Sequence, residues 1–424
     1  MKLNYSEGFY NLSFFNINID TQEELTKQVL EREDSTFVHE FIHYLQDLVL
    51  PYSIRFNLSN VRWFFNILKV AHNEGYIDRP FDKWNEDSLI LHTQLNRSFG
   101  RGPSVNYVTS IGTITADYEI VSGYDGHLKM DREHRVYQYF AEVFEPGKAM
   151  PIIYNLGARD ILEYIAYKIE LRIFPNRPAA PQMPYESVDW LFDKYGLSLV
   201  SDDIRVCIAE CCLYNDTPIH FLLMRLLSND EFRKLITTSS YEDVYKYLLS
   251  LTTVTRDGQS EALITKTKRR LNQFEQELQM QYSGFDEIGK WISKVHGFVE
   301  HRLYGRFLFS DMYKMNKDEM LNFINETINC IGVPLLLNSK KQCISIKTGE
   351  NEVSQFVQFY IMQNFLRFVR SKEKICPIYT FCKANGGQCN SKCVLNKDNR
   401  IEGNLNCYYK KFLETYGLID IKFN

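Results

Sequence analysis

Two histidines lie four residues apart in the segment STFVHEFIHYLQDLVLP, and a glutamate follows the first of them. In a helix, where each residue advances about 100°, His39 and His43 project from one face, and both imidazoles can reach a single Zn²⁺. Glu40 lies too far around the helix to be a third ligand and borders the coordination position that a water would occupy. The pattern H-E-x-x-H therefore predicts a zinc-bound water as nucleophile, with Glu40 as the catalytic general base.

The segment that carries these residues has the pattern of a helix with two unlike faces. The arc opposite the histidines is apolar and contains Phe37, Val38, Phe41, Ile42, Leu45, Leu48 and Val49. Pro51 is expected to end the helix. Gln46 and Asp47 follow His43 by about one turn, where either could hydrogen-bond to a zinc ligand or simply face water. The alternative to a zinc site is a polar stripe in contact with solvent.

A catalytic zinc needs a third protein ligand, and a carboxylate is a common one. Glu163, in the helical segment GARDILEYIAYKIELR, is the candidate. The core-facing arc of that helix is predicted to contain Ile161, Leu162, Ile165 and Ile169. Glu163 lies on the other face, and the small Ala166 would let two helices approach closely. Glu170 and Glu119 are the reserve candidates, and a solvated glutamate on an amphipathic helix is the alternative for Glu163.

The two motifs together support a resemblance to a known family. HEFIHYLQ followed far downstream by a helical Glu-x-x-Ala resembles the zincin metallopeptidases of the gluzincin type. It is similar in particular to bacterial HExxHxxQ proteins that have a later G-x-x-x-x-x-E-x-x-A helix. In this chain the second motif runs from Gly157 through Glu163 to Ala166. The resemblance covers about residues 1–175.

The resemblance implies a set of roles for these residues. His39, His43 and Glu163 would be the zinc ligands, and Glu40 would be the general base. The chain departs from the thermolysin pattern at the position four residues after Glu163. Tyr167 stands there, where thermolysin-like proteins have an aspartate that hydrogen-bonds to a ligand.

The C-terminal region contains five of the ten cysteines, with the spacing C-x5-C-x6-C-x3-C-x13-C. Thiolates brought together by glycine-rich turns could form a tetrahedral zinc site. A small module with little hydrophobic core needs a metal of this kind to stabilise its fold. An iron–sulfur cluster uses the same ligands, and thiols without a metal are a third possibility. We predict a structural zinc held by four of Cys376, Cys382, Cys389, Cys393 and Cys407. Cys207, Cys211 and Cys212 are expected to be small core residues.

The length of 424 residues favours two or three domains. The segment FPNRPAAPQMP has four prolines within ten residues, which predicts an extended connector. We predict a metallopeptidase domain over 1–175, a helical domain over 176–330 and a domain with the cysteine-rich module over 331–424. The predicted fold class is α+β, predominantly helical, with a zincin-like N-terminal domain and a small sheet.

Composition and charge limit the function classes. A net charge of −4 gives no broad basic surface for nucleic acid. No apolar run has the roughly 20 residues that a membrane span needs, and the N-terminus lacks the pattern of a secretory signal. We therefore expect a soluble cytoplasmic protein without a membrane partner. Ten cysteines in such a compartment indicate metal ligation rather than disulfide bonds.

These features predict an intracellular zinc peptidase that hydrolyses peptide bonds, with a protein or peptide as substrate and a narrow range of targets. A regulatory or interaction protein stabilised by zinc, without turnover, is the alternative from a different class. A metal-dependent hydrolase of a non-peptide amide is a third reading. The oligomeric state is left open.

Overall fold

The structure is a computed structural model that describes most of the chain. The residues outside this description are 1, 6–7, 24–33, 126–129, 255–259, 280–285, 304, 333, 345–353, 388, 390–392 and 394–406. In the described part, helices predominate and the sheets are small, which confirms the predicted α+β, predominantly helical class. None of the described helices combines the length and the apolar character needed to cross a bilayer.

The strands form small sheets from distant parts of the chain. They are β1 (Lys2–Tyr5), β2 (Gly8–Asn11), β3 (Asn16–Ile19), β4 (Tyr76–Ile77), β5 (Ser110–Asp125), β6 (Met130–Phe144), β7 (Ile152–Leu156), β8 (Thr252–Val254), β9 (Ser260–Ala262), β10 (Leu335–Leu337), β11 (Cys343–Ile344) and β12 (Lys422–Phe423). One sheet has the order β1-β2-β3-β10-β11, and a second has the order β5-β6-β7. β10 runs parallel to β3, and the other pairs in these two sheets are antiparallel.

The helices occupy most of the remaining chain. They are α1 (Asp34–Val49), α2 (Pro51–Glu74), α3 (Glu86–Phe99), α4 (Ala158–Ile173), α5 (Gln182–Tyr185), α6 (Ser187–Lys194), α7 (Asp202–Leu213), α8 (Pro218–Phe221), α9 (Asp230–Thr238), α10 (Tyr241–Ser250), α11 (Lys266–Gln279), α12 (Asp286–Leu303), α13 (Leu308–Tyr313), α14 (Lys317–Ile331), α15 (Ser354–Val369), α16 (Tyr379–Ala384) and α17 (Tyr408–Thr415). A π-helical turn over Leu222–Leu227 continues α8. As expected, one helix ends just before Pro51, which begins the next.

The buried apolar side chains form a large contiguous cluster that extends from Tyr10 to Leu418. The parallel pairing of β3 with β10 joins the first and the last of the three predicted domains. Cys207, Cys211 and Cys212 lie fully buried in this core, as expected for small apolar residues. The division into three domains stays a prediction.

Helix α1 packs against α2, α4, β2 and β3, so its two faces are both covered. Gly8 of β2 permits one of these close contacts. A Cβ there would lie 2.7 Å from Cγ2 of Thr36 and 3.6 Å from Cγ of Glu40. Strand β2 can therefore cross directly beside the residue that the sequence predicts as general base.

Strand β7 leads through Gly157 into α4, which carries Glu163. A Cβ at Gly157 would lie 2.1 Å from the backbone nitrogen of Gly100, so the chain after α3 can only approach this closely because position 157 is glycine. The side chain of Asp160 accepts a hydrogen bond from the Gly157 N–H at 2.7 Å and caps the new helix. These contacts determine where α4 begins and hence where Glu163 points.

Candidate metal centre

The polar face of α1 is buried rather than solvated. His39, Glu40, His43 and Gln46 are each at most 1 % exposed, and α4 packs over them. Glu163 of α4 is also fully buried, so the solvated alternative for both helices does not hold. Buried charged and polar groups need partners, and these residues supply them to one another.

Three ligand atoms converge between α1 and α4. Nε2 of His39 and Nε2 of His43 are 3.1 Å apart, and each lies 3.3 Å from Oε2 of Glu163. A tetrahedral ion with bonds of 2.0–2.1 Å requires its ligand atoms to be about 3.3–3.4 Å apart. Within the described residues, these are the three His, Cys, Asp or Glu side chains whose ligand atoms lie close enough together to hold a metal ion. The three residues could therefore bind a metal together.

The second nitrogen of His39 is held by Glu170. Nδ1 of His39 lies 2.8 Å from Oε2 of Glu170, whose other oxygen accepts a hydrogen bond from Ser35 Oγ. Arg177 forms a buried ion pair with the same carboxylate. Because a carboxylate only accepts, it places the imidazole proton on Nδ1 and leaves the Nε2 lone pair directed toward Glu163. Glu170, a reserve ligand in the sequence analysis, thus positions a ligand instead.

The second nitrogen of His43 is held by Gln46. Nδ1 of His43 lies 2.7 Å from Oε1 of Gln46, whose amide nitrogen donates to the Leu162 carbonyl at 3.0 Å. That second bond orients the amide so that its oxygen faces the imidazole. Burial lowers the pKa of His43, although the charge of Glu163 opposes this, and the neutral imidazole is the form that binds metals.

The carboxylate of Glu163 remains ionised. Burial alone would raise its pKa, but the close pairing of its carboxylate with His43 and His39 holds the pKa well below its ordinary value. Its second oxygen, Oε1, is buried and has no hydrogen-bond partner among the described residues. An ionised carboxylate with an unpartnered oxygen beside two imidazole nitrogens suits a cation, so the donor set fits a metal ion.

Glu40 borders this group without joining it. Burial raises its pKa to about 8, and the Glu163 charge acts in the same direction, while His39 and the Tyr10 backbone N–H oppose the rise. Its Oε2 is buried and has no hydrogen-bond partner among the described residues. Glu40 therefore has a carboxylate oxygen available for a further ligand beside the three converging atoms.

Asp47 has a structural position. Its Oδ2 accepts hydrogen bonds from Tyr10 Oη at 2.9 Å and from the Ser13 N–H at 2.6 Å, which anchor β2 and the turn after it on α1. Gln46 and Asp47 were both candidates to hydrogen-bond to a zinc ligand, and of the two only Gln46 does so, to His43. Glu119, the other reserve ligand, is half exposed on β5 and contacts Arg97 at 2.7 Å.

Arg177 of the proline-rich connector and Tyr185, which directly follows it, reach the centre, and neither was predicted as a site residue. Arg177 pairs with Glu170, and the ring of Tyr185 lies 6.0 Å from the ring of His39. Burial, together with the charges of Glu163 and Glu40, raises the pKa of Tyr185 far above its ordinary value. Neither residue belongs to a motif or a periodic pattern, so the sequence alone gives no signal for their contacts with the centre.

The five tail cysteines lie near one another, but they do not form a close set of metal ligands. Each of the other four tail cysteines lies near enough to Cys382 for its charge to raise the Cys382 pKa, after the larger effect of burial. Cys376 and Cys393 are joined by a backbone hydrogen bond of 3.0 Å. No three of these sulfurs, all within the described part, approach one another as closely as the His39 group does. The second zinc site stays a prediction.

Replacement of Glu170 by glutamine should weaken metal binding by about 10–100-fold, because the charged partner of His39 is lost. Competition with a chelating dye measures the affinity. Glu119→Gln is the matched control, since it removes a half-exposed carboxylate that pairs with Arg97 and not with a metal ligand. Urea unfolding of the metal-free variants separates lost affinity from lost folding. Equal metal affinity in the two variants would contradict the positioning role of Glu170.

Comparisons of the chain with models of protein families, with curated proteins and with solved structures find no match. The function must therefore be argued from the geometry of the centre.

Proposed function

We propose that this protein is a zinc-dependent peptidase whose active centre is the His39–His43–Glu163 group. The observation that carries the proposal is the spacing of the three ligand atoms, 3.1–3.3 Å, next to the unpartnered Oε2 of Glu40. Two imidazole nitrogens and one carboxylate oxygen form the ligand set of catalytic zinc in several peptidases. The resemblance of HEFIHYLQ and the later Glu-x-x-Ala helix to the zincins supports the same reading.

The residues around the zinc ligands would have separate tasks. When bound, zinc would supply a Lewis acid and a water of lowered pKa. Glu40 would take a proton from the attacking water and pass it to the leaving amine, and its raised pKa favours its holding that proton between the two steps. The buried phenol of Tyr185 is the nearby group that could donate a hydrogen bond to the developing oxyanion. Glu170 and Gln46 would hold the two imidazoles in place.

The burial of the centre supports a narrow substrate range. Since His39, Glu40 and His43 are almost fully buried, a peptide reaches them only after the surrounding chain moves. A substrate must supply binding energy for that displacement, which favours an extended protein partner over a random peptide. Cleavage of unstructured casein at a rate equal to that of a native target would contradict this part of the proposal.

The same burial favours a second candidate function. A structural zinc site is closed, whereas a catalytic site keeps a position open for water or substrate. A protein in which zinc joins α1 to α4 without turnover would show the burial seen here. This candidate is a zinc-stabilised interaction or regulatory protein.

The two candidates differ in one experiment. Zinc-loaded protein is incubated with native protein extract and with peptides derived from it, and new amino termini are identified by mass spectrometry. The peptidase should generate new termini that disappear when zinc is removed with a chelator and return when zinc is added. Zinc-loaded, folded protein that generates no new termini in either mixture would overturn the peptidase proposal and favour the second candidate.

A further inference from the structure

Arg159 lies in the first turn of α4, one helical turn before Glu163. Residues four apart share a helix face with their Cβ atoms about 6 Å apart, and helical side chains lean toward the N-terminus. Glu163 therefore leans toward the turn that carries Arg159. Burial alone would lower the pKa of Arg159, but the charge of Glu163, the largest of the opposing effects, raises it. A guanidinium thus lies beside the candidate metal centre without belonging to the ligand set.

The guanidinium of Arg159 is held at one nitrogen. Its Nη1 donates a hydrogen bond to the Gly102 carbonyl at 2.8 Å. A Cβ at Gly102 would lie 2.3 Å from the Tyr154 ring, so only glycine lets the chain run this close to the start of α4. In the part of the chain that the structure describes, neither Nε nor Nη2 has a hydrogen-bond partner. Nε is buried and Nη2 is not, so Nη2 can donate to a group that enters from solvent.

The carboxylates closest to Arg159 are committed to other donors. Asp160 accepts hydrogen bonds from the Tyr154 hydroxyl at 2.6 Å and from the Gly157 N–H at 2.7 Å. Glu163 pairs with the two histidines, and Arg159 forms no ion pair with any described residue. The helix dipole also disfavours a cation in the first turn of a helix. An anion from outside the chain would relieve both costs.

Arg159 is also the charged group through which solvent meets the centre. The three ligands and Glu40 are at most 1 % exposed, whereas Arg159 is only partly buried. Tyr185, the candidate oxyanion donor, lies near both groups. Burial and the charges of Glu163 and Glu40 raise its pKa, while the charge of Arg159 opposes the rise. A peptide held at the centre can therefore extend toward Arg159.

We propose that Arg159 binds a carboxylate of the peptide substrate close to the bond that is cleaved. This inference rests on the proposed function and specifies its substrate class, namely peptides with a negative charge near the scissile bond. A guanidinium binds a carboxylate through charge-assisted hydrogen bonds, for which Arg159 keeps Nη2 available. The carboxylate belongs to the C-terminus of the substrate or to an acidic side chain, and the test separates these two sources.

The test measures the retention of peptides on immobilised full-length protein. The protein carries Glu40→Gln and is loaded with zinc, so that bound peptides are not cleaved. The probes are short synthetic peptides, each made with a free C-terminal carboxylate and as the C-terminal amide. Each is also made with glutamate or with glutamine at its internal positions. Retained peptides are eluted and quantified by mass spectrometry.

We expect peptides with the carboxylate to be retained about tenfold or more over their neutral counterparts. Arg159→Gln should abolish this preference and leave the retention of the neutral peptides unchanged. Arg159→Lys should keep part of the preference, because the cation remains. Arg172→Gln is the matched control, since Arg172 is an exposed arginine of the same helix that contacts the Tyr313 ring. This control should retain the full preference.

The outcomes separate the two sources of the carboxylate. A preference lost on amidation identifies the C-terminus of the substrate, and a preference that follows internal glutamate identifies an acidic side chain. Absence of retention, equal retention of charged and neutral peptides, or a preference that survives Arg159→Gln would overturn the proposal. The comparison of peptide pairs on the Glu40→Gln protein needs no variant at Arg159, so it holds even if Arg159→Gln does not fold.

Failure of the peptidase proposal would be a different result. Zinc-loaded wild-type protein would then generate no new amino termini, while the preference for peptides with a carboxylate would persist and would still depend on Arg159.

Discussion

Purified His39→Ala protein should contain one zinc fewer per chain than the wild type. The substitution removes one of three ligand atoms that lie 3.1–3.3 Å apart, and it leaves Glu170 without its imidazole partner. Structural and catalytic zinc sites rarely survive with two protein ligands. Mass spectrometry of metal content, after dialysis against a weak chelator, measures the difference directly.

The matched control for this experiment is His301→Ala. His301 is an exposed histidine in the last turn of α12. Its removal should leave the zinc content unchanged. If His39→Ala also retained the wild-type content, the histidines would not be zinc ligands, and the peptidase proposal would have to be abandoned.

The same measurement tests the predicted zinc in the cysteine-rich tail. A wild-type content of about two zinc ions per chain that falls to about one in His39→Ala would establish two separate sites. Cys382→Ser should then remove the other ion, because Cys382 has the remaining four tail cysteines around it. A wild-type content of one zinc that Cys382→Ser does not change would contradict the tail site.

Glu40→Gln should keep its zinc and lose turnover by a factor of about 10²–10⁴. Glutamine has the same shape as glutamate but cannot take a proton from water, and Glu40 is not among the three converging ligands. The rate of formation of new amino termini on the best substrate is compared with the zinc content of the same samples.

Glu210→Gln is the control for the chemistry of this substitution. Glu210 is also a fully buried glutamate, but it lies on α7 and accepts hydrogen bonds from Ser310. Burial raises its pKa to about 8, as it does for Glu40, but Glu210 lies outside the metal centre, so glutamine should replace it without loss of turnover. Wild-type turnover in Glu40→Gln would exclude Glu40 as the general base, and loss of zinc would show a structural effect instead.

Local sequence patterns were sufficient to predict the elements that carry the centre. The helical period placed His39 and His43 on one face, and the same period placed Glu163 opposite the apolar arc of α4. The structure agrees on both helices and brings the three side chains together. This succeeded because positions three or four residues apart in a helix are neighbours whatever surrounds the helix.

The partners of the ligands depend on contacts between elements, which the period alone does not specify. Glu170, which lies seven residues or two helical turns after Glu163, contacts His39. Tyr167, which lies four residues after Glu163, packs against Tyr185 instead. The spacing of a known motif would have directed attention to position 167. Which turn of α4 faces His39 depends on the offset between the two helices.

The sequence was enough to predict that two helices could supply a metal-binding set, because ligand spacing within a helix is a local property. Only the tertiary structure decided that the polar faces are buried against each other, that Gln46 rather than Asp47 holds His43, and that Arg177 reaches Glu170. The physical reason is that burial and partner choice depend on how α1, α4 and the segment after α4 pack together, including contacts such as Gln46 with Leu162 and His39 with Glu170 that join distant parts of the chain, and the helical period does not specify this packing.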